Sequence, residues 1–252
     1  MSVGAALGVA AAAVAVGAGL GPVQRARIFH HTVPTNQPWR RRCPHCRQFL
    51  VASGWRGVTS VLPSTGACPH CRQRIGPAPF TVEVLTVAVL VVLALRVDRA
   101  LPLAACCWIA VTGVALGYID IAVHRLPDQL TVASLAGVLV LLGAAALVGH
   151  RPGWILAVVL NGIGLAAVYL VLIALHPAGM GLGDAKLALS LGCLLGWFGW
   201  EVTVYGAAAC FVLAGLWSLL LLASGRATAG TRIPHGPFLI LGSVAAVVLA
   251  GS

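Results

Sequence analysis

Long apolar runs, broken by short polar stretches, occupy most of this chain. Several approach or exceed the roughly 18 to 20 residues that an α-helix needs to cross the hydrocarbon of a bilayer. Backbone in lipid must satisfy its own hydrogen bonds, so runs of this kind are helices. The pattern predicts eight of them, over about 3–22, 80–97, 101–119, 129–148, 153–175, 185–199, 203–223 and 235–251. One long stretch, 23–79, is polar and reads as a soluble insertion. The first run, AALGVAAAAVAVGAGLG, has the look of a signal-peptide core but no basic segment before it, so a retained helix is expected. The fold class is an all-α polytopic membrane protein of about eight transmembrane helices. It divides into a first helix (1–22), a loop domain (23–79) and a seven-helix membrane domain (80–252).

Composition agrees: 60% of the 252 residues are hydrophobic and 9% are charged. A soluble domain must turn polar surface to water and does not carry so little of it. The net charge of +10 raises the question of nucleic acid, and the placement of the charges answers it. With the N-terminus outside, nine arginines fall in the first loop: Arg25, Arg27, Arg40, Arg41, Arg42, Arg47, Arg56, Arg72 and Arg74. Arg125, Lys186, Arg226 and Arg232 join them, and only Arg96, Arg99 and Arg151 fall opposite. This is the positive-inside bias, which makes the loop face cytoplasmic and assigns the basicity to orientation and to the lipid bilayer. No nucleic-acid partner is expected.

The insertion contains RRRCPHCRQF and GACPHCRQRIG. Cys43-x2-Cys46 and Cys68-x2-Cys71 form two matched knuckles, which can present four thiolates to one tetrahedral zinc ion. Gly54, Gly57, Pro63 and Gly66 between them fit a small loop-rich ribbon whose folding the metal would drive. Two disulfides or a redox role are the alternatives, and a cytoplasmic location argues against the first. His45 and His70 lie inside the knuckles, but four thiolates complete the shell without them. Cys106, Cys107, Cys193 and Cys210 lie in apolar runs and read as small buried hydrophobes.

The chain has six acidic residues: Glu83, Asp98, Asp120, Asp128, Asp184 and Glu201. A charge deep in a span costs on the order of 2.5–3.5 kcal/mol on insertion scales, so each one needs a reason. Asp98 sits between Arg96 and Arg99 in a loop, Glu201 reads as interfacial, and Asp128 can cap the fourth span through its side-chain oxygen. Asp120 closes the run WIAVTGVALGYI and Asp184 opens the run AKLALSLGCLLGWF. One span enters the cytoplasmic boundary and the other leaves it, so both carboxylates reach the same edge. Such a pair can divide acid and base roles: the ionised one takes a proton from water, and the protonated one holds a scissile carbonyl. Gly181 and Gly183 leave room for an extended peptide beside Asp184. Lys186 is expected to snorkel to headgroups or to orient a neighbour. Helix capping by the two aspartates and a proton relay are the competing readings. In Asn161 an interhelical hydrogen bond is expected.

The ordered set of motifs resembles the type IV prepilin peptidases, which are membrane aspartic proteases. The matching pieces are the paired CPHC knuckles, FTVE (Phe80 to Glu83), YIDIAVHRLPDQLT around Asp120, GMGLGDAKL around Asp184, and IPHGPFL (Ile233 to Leu239). The resemblance implies catalysis by Asp120 and Asp184 with support from Gly181, Gly183, Lys186 and Glu83. It also implies a zinc loop and removal of a basic leader from prepilin or pseudopilin precursors at the cytoplasmic face of the inner membrane. Many such enzymes also methylate the new N-terminus with S-adenosylmethionine, and GPVQRARIFHHTVP is the weakest-matching part of this chain. Glu83 is expected near the leader, pairing either with a leader cation or with a loop arginine. A non-enzymatic carrier or scaffold, with a partner-binding zinc loop and ion-coupling aspartates, is the alternative from a different class.

Overall fold

The computed structural model describes residues 3–250 apart from 35, 53–56, 58, 177, 178, 227, 229 and 230, and the side chains from residue 8 onward. Gly54 and Arg56 lie outside the described residues. Eight helices appear among those described: α1 (Val3–His31), α2 (Thr81–Ala94), α3 (Ala100–Val123), α4 (Asp128–Val148), α5 (Gly153–Leu175), α6 (Leu182–Phe198), α7 (Trp200–Ala223) and α8 (Gly236–Ala250). Five of them, α1, α3, α4, α5 and α7, are long and apolar enough to cross a membrane, and α2 and α8 are shorter apolar helices. Only isolated bridges of β type occur among the described residues.

The runs and the helices coincide, but their ends differ where polar residues continue a helix. α1 extends to His31 rather than stopping near residue 22, with Pro22 inside it. The Pro22 carbonyl instead accepts the N–H of Leu62 from the loop lobe. α3 and α6 likewise reach further into the polar boundary than the apolar runs. Asp120 therefore lies in the last turn of α3, and Asp184 in the first turn of α6.

α3 and α6 are the interior helices. α3 contacts α1, α2, α4, α6 and α8, and α6 contacts α3, α4, α5, α7 and α8. The reason is composition: α6 carries Ala185, Ala188, Ser190, Gly192 and Gly196 among its leucines, and small residues let backbones approach in lipid. At Gly192 an added Cβ would lie 2.8 Å from the Asn161 carbonyl oxygen and 2.9 Å from the Gly162 Cα. Asn161 does not bridge two helices as expected; its Nδ2 donates to Ala157 O of its own helix at 2.8 Å. α7 and α8 meet as closely at Gly242, where a Cβ would fall 2.6 Å from Cys210 N. Outward faces of α4, α5 and α7 expose Leu147, Val148, Leu156, Leu216 and Leu219, which suits lipid rather than water.

The loop lobe packs on the end of α1. Ala26, Phe29, Val51 and Leu62 form its small core, with Leu50 and Ile75 against them. A buried polar latch fixes this lobe and α2 together. Arg25, 2% exposed, donates through Nε and Nη2 to the two oxygens of Glu83, each at 2.8 Å. Its remaining donors reach Pro77 O at 3.1 Å and Ala78 O at 2.9 Å. Gln24 extends the latch to Thr86 of α2 and to Val111 O of α3.

Candidate active site

Asp120 is positioned from the end of α3. The helix terminates at His124, whose φ of 50° is left-handed and whose N–H donates to the Asp120 carbonyl. Pro127 then restarts the chain as α4. The tight turn between them drives Leu126 inward, against two glycines from other parts of the chain. A Cβ on Gly183 would lie 2.8 Å from Leu126 Cβ, and one on Gly236 would lie 3.4 Å from Leu126 Cδ2. Leu126 therefore joins the starts of α6 and α8 to the Asp120 turn.

Both aspartates are buried, 5% exposed at Asp120 and 8% at Asp184. Each is held by a backbone N–H at a helix start, where the amide dipoles favour a carboxylate. Gly236 N–H, at the head of α8, donates to Asp120 Oδ2 at 2.9 Å. Gly181 N–H donates to Asp184 Oδ2, also at 2.9 Å, and the Asp184 N–H returns to Gly181 O at 3.0 Å. Asp184 thus caps its own helix. Leu126 packs against both Gly183, beside Asp184, and Gly236, which bonds Asp120, so the two acid-bearing turns share one neighbour. Both are buried and held by helix-start amides, and their own helices are in contact inside an apolar bundle.

Gly181 and Gly183 differ in what they permit. At Gly183 the missing side chain is filled by Leu126, so it is a packing glycine. At Gly181 an added Cβ would come no nearer than 3.9 Å to any atom of the described residues, an ordinary contact, so this position beside Asp184 is uncrowded.

A second polar group adjoins this centre, and no local pattern in the sequence announces it. Tyr169 Oη and His235 Nε2 share a hydrogen bond of 2.9 Å, and Cys210 Sγ lies 3.2 Å from the same nitrogen. Tyr169 and Cys210 are fully buried. His235 directly precedes Gly236, whose N–H holds Asp120. Cys210 is therefore more than a small hydrophobe. The only advance signal was the motif IPHGPFL, which contains both His235 and Gly236.

Three other charged residues take defined places, and one expectation, the Asp128 cap, is overturned. Glu83 is committed to Arg25 and is 7% exposed, so the loop-arginine pairing is the one found. Lys186 pairs with Asp128 at 2.6 Å, with both side chains well exposed. Asp128 does not cap α4: Pro127 occupies the cap position and no side-chain cap bond forms.

The four cysteines come together as the spacing predicts. Their sulfurs all lie within 4.8 Å of one another. The Cys43–Cys71 and Cys46–Cys68 sulfurs are 3.7 Å and 3.8 Å apart. A tetrahedral zinc with bonds of about 2.3 Å requires sulfur separations of about 3.8 Å, so the donor set fits the ion. The two knuckles are built alike. Cys43 N–H donates to Gln48 O and Cys68 N–H to Gln73 O, and Arg47 and Arg72 take the same left-handed turn at φ 60° and 59°. Burial opposes ionisation of the Cys43 thiol. The backbone N–H groups of Cys46 and His45 and the neighbouring thiols outweigh it and bring the pKa down to about 7. At Cys71 the Gln73 N–H favours the thiolate, but burial and the crowded sulfurs push it up to about 11. Cys43 thus ionises readily and Cys71 resists, and a bound cation favours the thiolate at both.

Residues 103–250 match the Type IV leader peptidase family, and residues 24–97 match the Bacterial Peptidase A24 N-terminal domain. The chain belongs to the type IV leader peptidase family. It is a membrane-embedded peptidase, and the carrier or scaffold reading gives way to that membership. Among similar proteins, the prepilin leader peptidase/N-methyltransferase of Aeromonas hydrophila is 31% identical over 212 residues, covering 80% of this chain and 69% of that protein. The protein of the same name from Dichelobacter nodosus is 32% identical over 223 residues, covering 87% of this chain and 72% of the relative. No solved structure matches the chain at a significant level.

Proposed function

We propose that this peptidase removes the basic leader from type IV prepilin or pseudopilin precursors, with Asp120 and Asp184 activating the attacking water. The observation that supports the reading is a pair of buried carboxylates, each bonded through Oδ2 to a helix-start N–H, on turns that Leu126 joins. Among the described residues no hydrogen bond reaches either Oδ1, which leaves it for water and substrate. Two carboxylates in one low-dielectric site do not both ionise readily, so one proton is shared between them. The ionised member takes a proton from water as that water attacks the scissile carbonyl carbon. The protonated member donates to the carbonyl oxygen and stabilises the tetrahedral intermediate. Collapse of that intermediate breaks the C–N bond, and the leaving amine receives the proton first taken from water.

The uncrowded position at Gly181 is where the extended leader segment would lie. The precursor's apolar helix rests in the bilayer, and its basic leader projects into the cytoplasm, where the basic loop face of this chain is assigned by the positive-inside bias. This places the enzyme in the bacterial inner membrane with its catalytic and zinc-binding parts at the cytoplasmic boundary. The chain divides into a first helix, a zinc-binding loop domain and a seven-helix peptidase domain. Cys43, Cys46, Cys68 and Cys71 hold a structural zinc ion, which fixes the loop lobe on α1 and, through the stacking of Arg125 on Trp39 at 4.7 Å, against the Asp120 turn.

Relatives named for N-methyl transfer support a second activity on the new N-terminal amine. The methyl donor would be S-adenosylmethionine. Among the described residues there is no strand and hence no Gly-rich strand-to-helix cradle for it, so no step is derived through that donor.

Purified protein incubated with a prepilin-type precursor tests the reading. Mass spectrometry should find one cut between leader and apolar helix; an uncut precursor would refute it. The same spectrum reads methylation as one added methyl on the product's N-terminus.

A further inference from the structure

The turn that follows Asp120 has little backbone support. His124 N–H donates to Asp120 O at 2.8 Å and ends α3, and Pro127 O accepts the Leu130 and Thr131 N–H groups that begin α4. Between them, Arg125 and Leu126 make no backbone hydrogen bond among the described residues. Side chains must therefore hold the turn. Leu126 does so from inside, buried against Gly183 and Gly236. Arg125 reaches a different neighbour.

The half-buried Arg125 guanidinium lies 4.7 Å from the centre of the Trp39 ring, within the range of a cation–π contact. Among the described residues no ion pair or side-chain hydrogen bond holds that guanidinium elsewhere. Trp39 is itself anchored. Its ring meets the ring of the fully buried His31 edge-on, with centroids 4.6 Å apart. The next residue is laced to the end of α1 from both sides: Arg40 N–H donates to His30 O at 3.0 Å, and Arg40 O lies 2.9 Å from His30 Nδ1. Arg41 O then accepts the N–H groups of Leu50 and Val51, at 2.9 Å and 3.2 Å, which ties the same segment to the first cysteine knuckle. Trp39 is thus fixed by α1 and the loop lobe, and it offers its ring to the residue that follows His124.

Resting on the peptidase reading above, we propose that Trp39 is a positioning residue for Asp120: held on the end of α1, its ring fixes Arg125, and Arg125 fixes the turn that presents the carboxylate. Leu126 holds that turn on its inner side and the Arg125–Trp39 stack holds it on the side of the lobe. The loop lobe thereby acts on the aspartate pair through one stacked pair of side chains. Neither residue needs to touch the precursor. Without the stack the turn keeps only its inner anchor, and Asp120 spends part of its time away from the reactive geometry. A displacement of about 1 Å costs on the order of 100-fold, so a turn displaced part of the time loses less than that.

Hydrogen exchange reads the turn without any cleavage. In full-length protein held in nanodiscs, the His124 amide should exchange about tenfold faster in Trp39→Ala and in Arg125→Gln than in the parent. Trp39→Phe keeps an aromatic face and should exchange like the parent. Arg125→Gln leaves the hold on α1 intact, so the amides of the first knuckle, Cys43 and Arg47, should keep their protection. An unchanged His124 amide in both variants overturns the proposal, whether or not the protein cleaves a precursor. Equal quickening at His124 and in the knuckle of Arg125→Gln would mark general loosening and overturn it as well. Kinetics give the second readout. Trp39→Ala and Arg125→Gln should each lower kcat by about tenfold with KM within about twofold of the parent, and Trp39→Phe should restore most of the rate. The two act through one contact, so the double variant should fall little further than either single. A double loss equal to the product of the single losses would show independent roles and overturn the proposal.

Discussion

Gly236 donates its N–H to Asp120 Oδ2 across 116 positions of sequence, and this bond fixes one acid of the pair to the head of the last helix. A Cβ at Gly236 would lie 2.9 Å from that oxygen and 3.4 Å from Asp120 Cγ. Gly236→Ala therefore displaces the carboxylate. Misplacement of a reacting group by about 1 Å costs on the order of 100-fold, so cleavage should fall by about that factor. Thermal stability should hold within about 1 kcal/mol, because alanine favours the helix. A steady-state cleavage assay and a melting curve in detergent check both halves.

Arg25 and Glu83 form the other long-range polar contact that matters, and its role is structural. Removing one partner leaves a buried charge uncompensated, which costs about 3–5 kcal/mol. Arg25→Ala and Glu83→Gln should each lower the melting temperature markedly. The dependence of cleavage on leader charge should be the same in Glu83→Gln as in the parent. If Glu83→Gln alone erased that dependence, Glu83 would bind the leader after all.

Lys186 and Asp128 supply the contrast. Their side chains are 48% and 69% exposed, and pairs of that kind contribute about 0–1 kcal/mol. Lys186→Ala should melt within a degree or two of the parent. A large loss would show that the lysine holds the Asp184 helix start.

Zinc removal separates lobe from bundle. Metal analysis should find one zinc ion per chain, lost on chelation and in Cys43→Ser. Limited proteolysis should then open the loop between residues 32 and 79, while the helical circular dichroism signal stays nearly intact. Its size follows from the small core of the lobe, four buried side chains that cannot fold it unaided.

What the sequence made legible follows from physics that is local. Apolar runs of about 20 residues announce helices because a helix of that length crosses the bilayer with its backbone hydrogen bonds satisfied within the segment. The knuckles announce a metal site because a tetrahedral ion dictates ligand spacing. Asp120 and Asp184 stand out because carboxylates are rare in such runs. The Tyr169–His235–Cys210 group was illegible because its members lie 66, 25 and 41 positions apart and each looks ordinary in its own segment. Glu83 was open to two readings because its partner lies 58 positions away. Asp128 was misplaced for a local reason: Pro127, with its fixed φ, already fills the cap position.

The central claim is that Asp120 and Asp184 act as one acid–base unit. The direct measurement is single-turnover cleavage of a prepilin-type precursor by the parent, Asp120→Asn, Asp184→Asn and the double variant, each confirmed folded by its melting curve. Members of such a unit are not additive, so each single variant should lose nearly all activity and the double should lose little more. Substantial cleavage by either single variant, at a rate within tenfold of the parent, would contradict it.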